Sequence, residues 1–391
     1  MLISVRITLN LLKMRKVLLL GSTGSIGRQS LDVVRFLNHK GYPVRVVGLA
    51  VNRNTELLME QVEEFSPDLV AIVDASACED FGSIFPRVFC GDDGVLRMLE
   101  ETDCDTVINA ITGTAGLLPG LTTLKMGKRL CLANKESLVA AGPLFKEAAK
   151  QGGELLPIDS EHSAIFQGLF AGKQKEVARL ILTASGGPLW NKDVDFDSVT
   201  VDDAISHPTW SMGRKISVDS ATMMNKGLEI IEAHYLFDVP PEQIEVLIHP
   251  QSIVHSIVEF IDHSQIAQMS LPDMRLAIQY ALTYPARFPS PIRKLNLDEL
   301  GHLTFYPPDR GRFPSLDFAY MSLKKGGTYP ACLNAANEAA VSLFLDGRVR
   351  FSDIFRIIEK ALGEHKSKDN PSLEDILNVD REVKEAILSD F

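Results

Sequence analysis

Pro157-Ile-Asp-Ser-Glu161 sets Asp159 and Glu161 two positions apart. In an extended segment both carboxylates point the same way. Two like charges on one face repel unless a cation joins them, so the pair is a candidate metal site. A solvated acidic face is the alternative. The segment His207–Glu229, HPTWSMGRKISVDSATMMNKGLE, adds to it. Asp219 or Ser220 is expected to cap a helix starting at Ala221. On that helix Asn225, Lys226 and Glu229 share one face. Lys226 suits a phosphate, and Glu229 would be a third oxygen ligand. Three carboxylates without a His or Cys partner point to a hard ion, Mg²⁺ or Mn²⁺. Otherwise Lys226 and Glu229 form an exposed salt bridge worth a few tenths of a kcal/mol.

A second group of residues suits a nucleotide. Gly21-Ser-Thr-Gly-Ser-Ile-Gly27 lies between an apolar strand and a helical pattern. Such a loop brings backbone N–H groups and a helix N-terminus against a pyrophosphate; a plain tight turn is the alternative. The next strand runs into Asn52-Arg53-Asn54 with no acid for a ribose hydroxyl. Arg53 can pair a 2′-phosphate, which favours NADPH over NADH, or it is a solvated loop charge. Ala133-Asn-Lys-Glu-Ser137 follows a strand end, where Lys135 can polarise a substrate oxygen and Asn134 and Glu136 can touch the cofactor. Alternatively Asn134 simply caps a helix. Ser185-Gly-Gly-Pro188 reads as a phosphate seat or as a turn. His207–Gly213 carries Trp210 and Met212, a lid in prospect or a permanently docked loop. His249, His255 and His263 lack metal-ligand spacing and are read as structural.

These residues need a scaffold, and apolar patterning supplies one. Strands are expected at 17–20, 44–51, 69–73, 106–110 and 130–133, alternating with helices at 30–37, 55–65, 95–99, 117–126 and 135–150. That alternation predicts a parallel sheet covered on both faces. Strands at 177–183, 244–248, 256–261 and 265–270, with Asp262-His263-Ser264 turning between the last two, predict a mixed or antiparallel sheet. A Pro- and Gly-rich stretch precedes helices at 315–325, 331–346, 351–362 and 372–387. The expected α/β architecture is an N-terminal Rossmann-like parallel sheet, a central α+β catalytic domain and a C-terminal helical domain. Its divisions are 1–13, an extension; 14–158, nucleotide binding; 159–284, catalytic; 285–314, a linker; and 315–391, helical. Residues 1–13 lack the unbroken apolar core of a signal peptide, and Met14 is a plausible start.

Composition sets limits on partners. A net charge of −11 over 391 residues disfavours nucleic acid, yet one basic pocket still accommodates a small phosphorylated ligand. No apolar run reaches the ~20 residues of a membrane span. The five cysteines, at 78, 90, 104, 131 and 332, show no C-x-x-C spacing. They are read as small buried residues, without disulfides, in a reducing cytosol.

Together the segments GSTGSIG, LANKESLV, PIDSEHSAIFQ, SGGP, HPTWSMGRKISVDSATMMNKGLE, IHPQSIVHS and LNAANE resemble the 1-deoxy-D-xylulose 5-phosphate reductoisomerase family. They run in the family's order from Met14 to about Asp346. The resemblance implies a cytoplasmic, homodimeric enzyme that rearranges a ketose phosphate with a divalent metal. NADPH then reduces the aldehyde to 2-C-methyl-D-erythritol 4-phosphate. By position it implies Asp159, Glu161 and Glu229 as metal ligands, and Lys135, Ser160 and Glu161 at the reacting end. It implies Ser185, His207, Ser220, Asn225 and Lys226 at the phosphate end. Thr23, Gly24, Ser25 and Ile26 would cradle the pyrophosphate. Asn134, Glu136 and Gly213 would contact the cofactor, and Trp210 and Met212 would belong to a flap. One departure is Asn52-Arg53-Asn54, where the family often has Gly-Lys-Asn. Arg53 keeps the positive charge, while the Asn52 contact loses its glycine. Apart from the resemblance, the same residues suit a simple NADP-dependent dehydrogenase or a nucleotide-sensing binding protein.

Overall fold

Alternate residues of the first strand point to opposite apolar layers. Val17 and Leu19 pack with Leu31, Val34 and Leu37 on one face. Leu18 and Leu20 pack with Val95, Met98 and Leu99 on the other. A strand buried on both faces reads as a continuous apolar run, as Val17–Leu20 does. The computed structural model describes residues 14–210 and 212–391. The expected extension, 1–13, lies outside the described residues, as does Ser211.

The parallel sheet has seven strands: β1 (Arg15–Leu20), β2 (Val44–Val51), β3 (Leu69–Ile72), β4 (Val88–Cys90), β5 (Thr106–Asn109), β6 (Arg129–Leu132) and β7 (Glu154–Pro157). Their order is β4-β3-β2-β1-β5-β6-β7. The order reverses direction between β1 and β5, which opens a crevice at the C-terminal ends of the strands. The loops carrying Gly21–Gly27, Asn52–Asn54, Asn134–Glu136 and Asp159–Glu161 all leave that edge. The second sheet comprises β8 (Val177–Ala184), β9 (Ile244–Ile248), β10 (Val254–Phe260) and β11 (Gln265–Met269) in the order β11-β10-β8-β9. β8 and β9 are parallel and the other pairs antiparallel, so the sheet is mixed. Helices Ser315–Lys325, Tyr329–Leu345, Phe351–Glu364 and Leu373–Asp390 close the chain. Leu333, Phe344 and Phe351 share one core with Leu180 and Leu182 of β8, so the tail is packed against the central sheet.

Several elements escape the apolar pattern. Helix Ala75–Gly82 and strand β4 lie at the sheet edge and are short. Helix Met274–Thr283, within the expected catalytic segment, sends Ile278, Ala281 and Leu282 into the core of the first sheet. The reading of all five cysteines as unpaired is corrected: Cys78 and Cys90 form a disulfide, with Cα atoms 5.7 Å apart. The helix after β3 folds back beside β4, and only that return brings the two together. Cys104, Cys131 and Cys332 are free and buried. The disulfide withdraws the cysteine-based argument for a reducing compartment. Among the described residues no helix is long and apolar enough to cross a membrane.

Candidate active site

Asp159 and Glu161 converge, but not through an extended segment. Asp159 is the N-cap of helix Ser160–Gly168, its carboxylate accepting the Glu161 N–H at 3.2 Å, and Glu161 sits in the first turn. The apolar pattern hides this helix because it buries His162 and Ser163 among its apolar residues. The predicted helix start at Ala221 is also corrected. Asp219 and Ser220 belong to helix Arg214–Ala221, and a new helix, Met224–Phe237, begins after Met223 turns through a φ of 62°. Asn225, Lys226 and Glu229 do share a face: the Asn225 amide donates to Glu229 Oε1 at 2.6 Å and the Lys226 ammonium contacts Glu229 Oε2.

That face meets the first sheet. Lys135, at the start of helix Lys135–Ala149, places Nζ 2.7 Å from Asn225 Oδ1, 3.0 Å from Asp159 and 3.3 Å from Glu229. Lys226 Nζ donates to Glu161 Oε1 at 2.7 Å. The Ser160 hydroxyl donates to Glu161 Oε2. Lys226 and Glu229 are 3% and 1% exposed, which excludes the exposed salt bridge.

One oxygen each of Asp159, Glu161 and Glu229 lies within 4.8 Å of the others. Two ammonium groups against three carboxylates leave the cluster one positive charge short. Burial, then the charges of Asp159 and Glu161, push the Glu229 carboxyl up to about 8 despite Lys226 and Lys135. Burial also raises Asp159, but Lys135, His162 and Lys226 overcome it and hold that carboxyl low. Both lysines stay charged because the carboxylates outweigh burial. An all-oxygen donor set lacking positive charge fits a hard divalent cation.

Ser185 and His207, expected at the phosphate end, meet at a turn after β8. His207 Nε2 lies 2.9 Å from Ser185 Oγ. His207 Nδ1 accepts the N–H groups of Thr209 and Trp210 at 3.1 and 2.9 Å, so Nε2 carries the proton and donates to Ser185. Burial lowers the His207 pKa, which keeps the ring neutral. Gly187 adopts a φ of 70°, and a Cβ there would lie 2.4 Å from the Ser220 carbonyl oxygen. The Ser185 turn is thereby seated on the helix that carries Ser220. Trp210 is half-buried, with its ring 6.4 Å from His255. His249 and His255 bond to the Thr304 and Ser270 carbonyls, in keeping with structural roles.

The residues expected to hold the nucleotide lie on loops along the crevice. Gly21 has a φ of 82°, and a Cβ would lie 2.6 Å from the Ala110 carbonyl oxygen, so the turns after β1 and β5 touch. Gly24 is the N-cap of helix Ser25–His39 and makes no side-chain cap, so no side chain occupies the first-turn N–H groups. Thr23 and Ile26 are half-buried, and Gly24 and Ser25 exposed. Asn52, Arg53 and Asn54 are exposed; Asn54 caps helix Thr55–Phe65 through the Leu57 N–H. The Asn134 side chain is occupied within the protein, accepting from Ser137 N and donating to the carbonyls of Ile111 and Gly113. Glu136 is also occupied, with Lys215 Nζ at 2.9 Å. Gly213 is exposed at the N-cap of helix Arg214–Ala221.

The sequence reading missed two sets of polar residues, all buried except the half-buried Lys215. Lys215 also pairs with Asp219 at 2.8 Å, and Asp219 accepts from Asn337 of helix Tyr329–Leu345. His162 and Glu232 lie behind Glu229, with His162 Nδ1 3.6 Å from Glu232 Oε2. Their spacing from Glu161 and Glu229, one and three positions along two helices, was the available signal.

Comparison with known proteins agrees along nearly the whole chain. Family models for 1-deoxy-D-xylulose 5-phosphate reductoisomerase match residues 17–142, its C-terminal domain 155–237, and the DXP reductoisomerase C-terminal domain 269–386. The 1-deoxy-D-xylulose 5-phosphate reductoisomerase of Pelodictyon phaeoclathratiforme is 49% identical, covering 95% of this chain and 98% of its own. That of Caldanaerobacter subterraneus is 48% identical, covering 97% and 100%. The solved Zymomonas mobilis enzyme in complex with NADPH superposes with a TM-score of 0.89 at 40% identity, covering 96% and 99%. A DOX-P reductoisomerase structure with NADPH, fosmidomycin and magnesium gives 0.91 at 38% identity, covering 96% and 98%. A likeness of this extent, over both sheets and the helical tail, places the chain in the 1-deoxy-D-xylulose 5-phosphate reductoisomerase family.

Proposed function

We infer that this chain converts 1-deoxy-D-xylulose 5-phosphate to 2-C-methyl-D-erythritol 4-phosphate by skeletal rearrangement followed by reduction with NADPH. The observation that carries the reading is the closure of Asp159, Glu161 and Glu229 around Lys135 and Lys226, beside a dinucleotide-type turn. Those three carboxylates would hold the divalent ion, Mg²⁺ or Mn²⁺, which when bound stabilises negative charge on the substrate's chelating oxygens. NADPH, when bound, supplies the hydride.

The chain's own residues bind and orient. Lys135 and Ser160 hold oxygens at the reacting end, where a buried ammonium favours developing negative charge. Ser185, His207, Ser220, Asn225 and Lys226 hold the phosphate. His207 contributes a neutral Nε2–H donor, and Lys226 contributes charge. Lys226 is paired with Glu161 and Glu229 in the structure, so phosphate binding exchanges one anionic partner for another. The flap with Trp210 and Met212 closes over the substrate and excludes water. Thr23, Gly24, Ser25 and Ile26 receive the pyrophosphate, with Arg53, flanked by Asn52 and Asn54, at the 2′-phosphate. Asn134, Glu136 and Gly213 border the cofactor.

We further propose that 14–158, 159–284 and 315–391 act as nucleotide-binding, catalytic and helical domains, with 285–314 as linker. Assembly as a homodimer rests on the family likeness. We place the enzyme in the cytoplasm, where its two phosphorylated, membrane-impermeant reactants are retained. The test is to mix the protein with NADPH, Mg²⁺ and 1-deoxy-D-xylulose 5-phosphate and follow the reduced nicotinamide by absorbance. Consumption abolished by a chelator and restored by Mg²⁺ or Mn²⁺ is expected. No consumption with either ion would overturn the reading.

A further inference from the structure

We propose that Glu232, acting through His162, is a positioning residue for the carboxylate of Glu229. The inference rests on the proposed metal-binding role of Glu229. His162 is fully buried and Glu232 is 4% exposed. His162 Nε2 lies 3.0 Å from the Glu229 carbonyl oxygen. A carbonyl only accepts, so Nε2 bears the proton and donates.

The other edge of the ring faces Glu232. His162 Nδ1 and Glu232 Oε2 are 3.6 Å apart, and neither has a hydrogen-bond partner among the described residues. With Nε2 donating, Nδ1 is an acceptor, so the contact closes when a protonated Glu232 carboxyl donates its O–H to Nδ1, and burial favours that neutral form of the carboxyl. Phe237, on the same helix as Glu229 and Glu232, packs its ring 6.3 Å from the imidazole. The ring is therefore held from two sides and presents one donor to the Glu229 backbone.

The consequence is geometric. Glu229 is in the second turn of helix Met224–Phe237, and Asp159 and Glu161 open helix Ser160–Gly168. His162 belongs to the second helix and bonds the backbone of the first. It is thus a direct tie between the two elements that must bring three carboxylates together. Glu232, one turn beyond Glu229, fixes the orientation of that tie. Outer partners of this kind tune metal affinity without touching the metal.

The test measures Mn²⁺ affinity of the full-length protein by the electron paramagnetic resonance signal of free Mn²⁺, with NADPH affinity measured alongside by fluorescence. Glu232→Met keeps volume and removes the polar partner. It should weaken Mn²⁺ binding about 10–100-fold while NADPH affinity stays within about twofold. Glu232→Gln, which can still hydrogen-bond Nδ1, should restore most of the affinity. If Glu232→Met does not fold, His162→Phe removes the same tie and should show the same selective loss. Unchanged Mn²⁺ affinity in a folded Glu232→Met or His162→Phe variant would overturn the proposal. Two Mn²⁺ ions per wild-type chain would also overturn it. Asp159, His162 and Glu232 would then themselves ligate an ion, since their atoms also lie within 4.8 Å of one another. Absence of Mn²⁺ binding to the wild type would instead count against the metal site itself.

Discussion

Lys135 and Glu229 are 94 positions apart in the chain, yet Lys135 Nζ lies 3.3 Å from Glu229 Oε1 with both side chains buried. The contact joins the C-terminal edge of the parallel sheet to the helix that carries Asn225 and Lys226. It makes Glu229, the proposed metal ligand, a direct partner of the Lys135 ammonium as well. Glu229→Gln preserves shape and removes the charge. Turnover should fall about 10³-fold, a loss of several kcal/mol of charge stabilisation. NADPH affinity, set at the other end of the crevice, should hold. Steady-state kinetics with parallel fluorescence titration decides this, and undiminished turnover removes Glu229 from the site.

Arg53 is the proposed partner of the cofactor's 2′-phosphate. Its neighbour Asp74 is held low first by the Ala77 N–H and the Ser76 hydroxyl, and Arg53 adds to this. Arg53→Ala should raise the KM for NADPH about tenfold, as expected for loss of a charge-assisted phosphate contact. The KM for NADH should be nearly unchanged. Equal changes for both cofactors would mean that Arg53 does not read the 2′-phosphate.

Gly187 seats the Ser185 turn against the helix that carries Ser220. Gly187→Ala meets both a φ of 70° and the Ser220 carbonyl oxygen. The backbone strain alone is worth about 1–3 kcal/mol. Denaturant melts should show a loss of that order, and the KM for the sugar phosphate should rise more than that for NADPH. An unaltered substrate KM would detach Ser185 from phosphate binding.

Glu136 links charge to pH. Burial raises its pKa, but Lys215 more than compensates, so the folded value is depressed. A depressed carboxyl contributes stability above its unfolded pKa of about 4.3 and loses it as pH falls through the folded value. At pH 7 the wild type should exceed Glu136→Gln by about 1–3 kcal/mol, because Lys215 keeps Asp219 as a second partner. The gap should close progressively below about pH 5. Urea melts of both proteins from pH 7 to 4 measure it. A gap independent of pH would show that the Glu136 charge contributes nothing.

The amino-acid sequence by itself determined a large part of this protein. Continuous apolar runs marked the strands buried on both faces, and Val44–Val51, Thr55–Phe65, Ile244–Ile248 and Ser315–Lys325 emerge with the expected bounds. Local spacing placed Asn225, Lys226 and Glu229 on one face because an α-helix repeats every 3.6 residues. Tertiary structure decided the rest. Helix Ser160–Gly168 buries polar residues, so its periodicity is invisible, and the convergence of Asp159 with Glu161 comes from a helix N-terminus instead of a strand. The break at Met223 depends on a left-handed residue held in place by packing. Cys78 meets Cys90 only because β4 joins the sheet edge beside β3. The His162–Glu232 pair and the closure of Lys135 on Glu229 are contacts between distant segments. Local propensity acts over a few residues, whereas these contacts exist only once two sheets and their helices have packed.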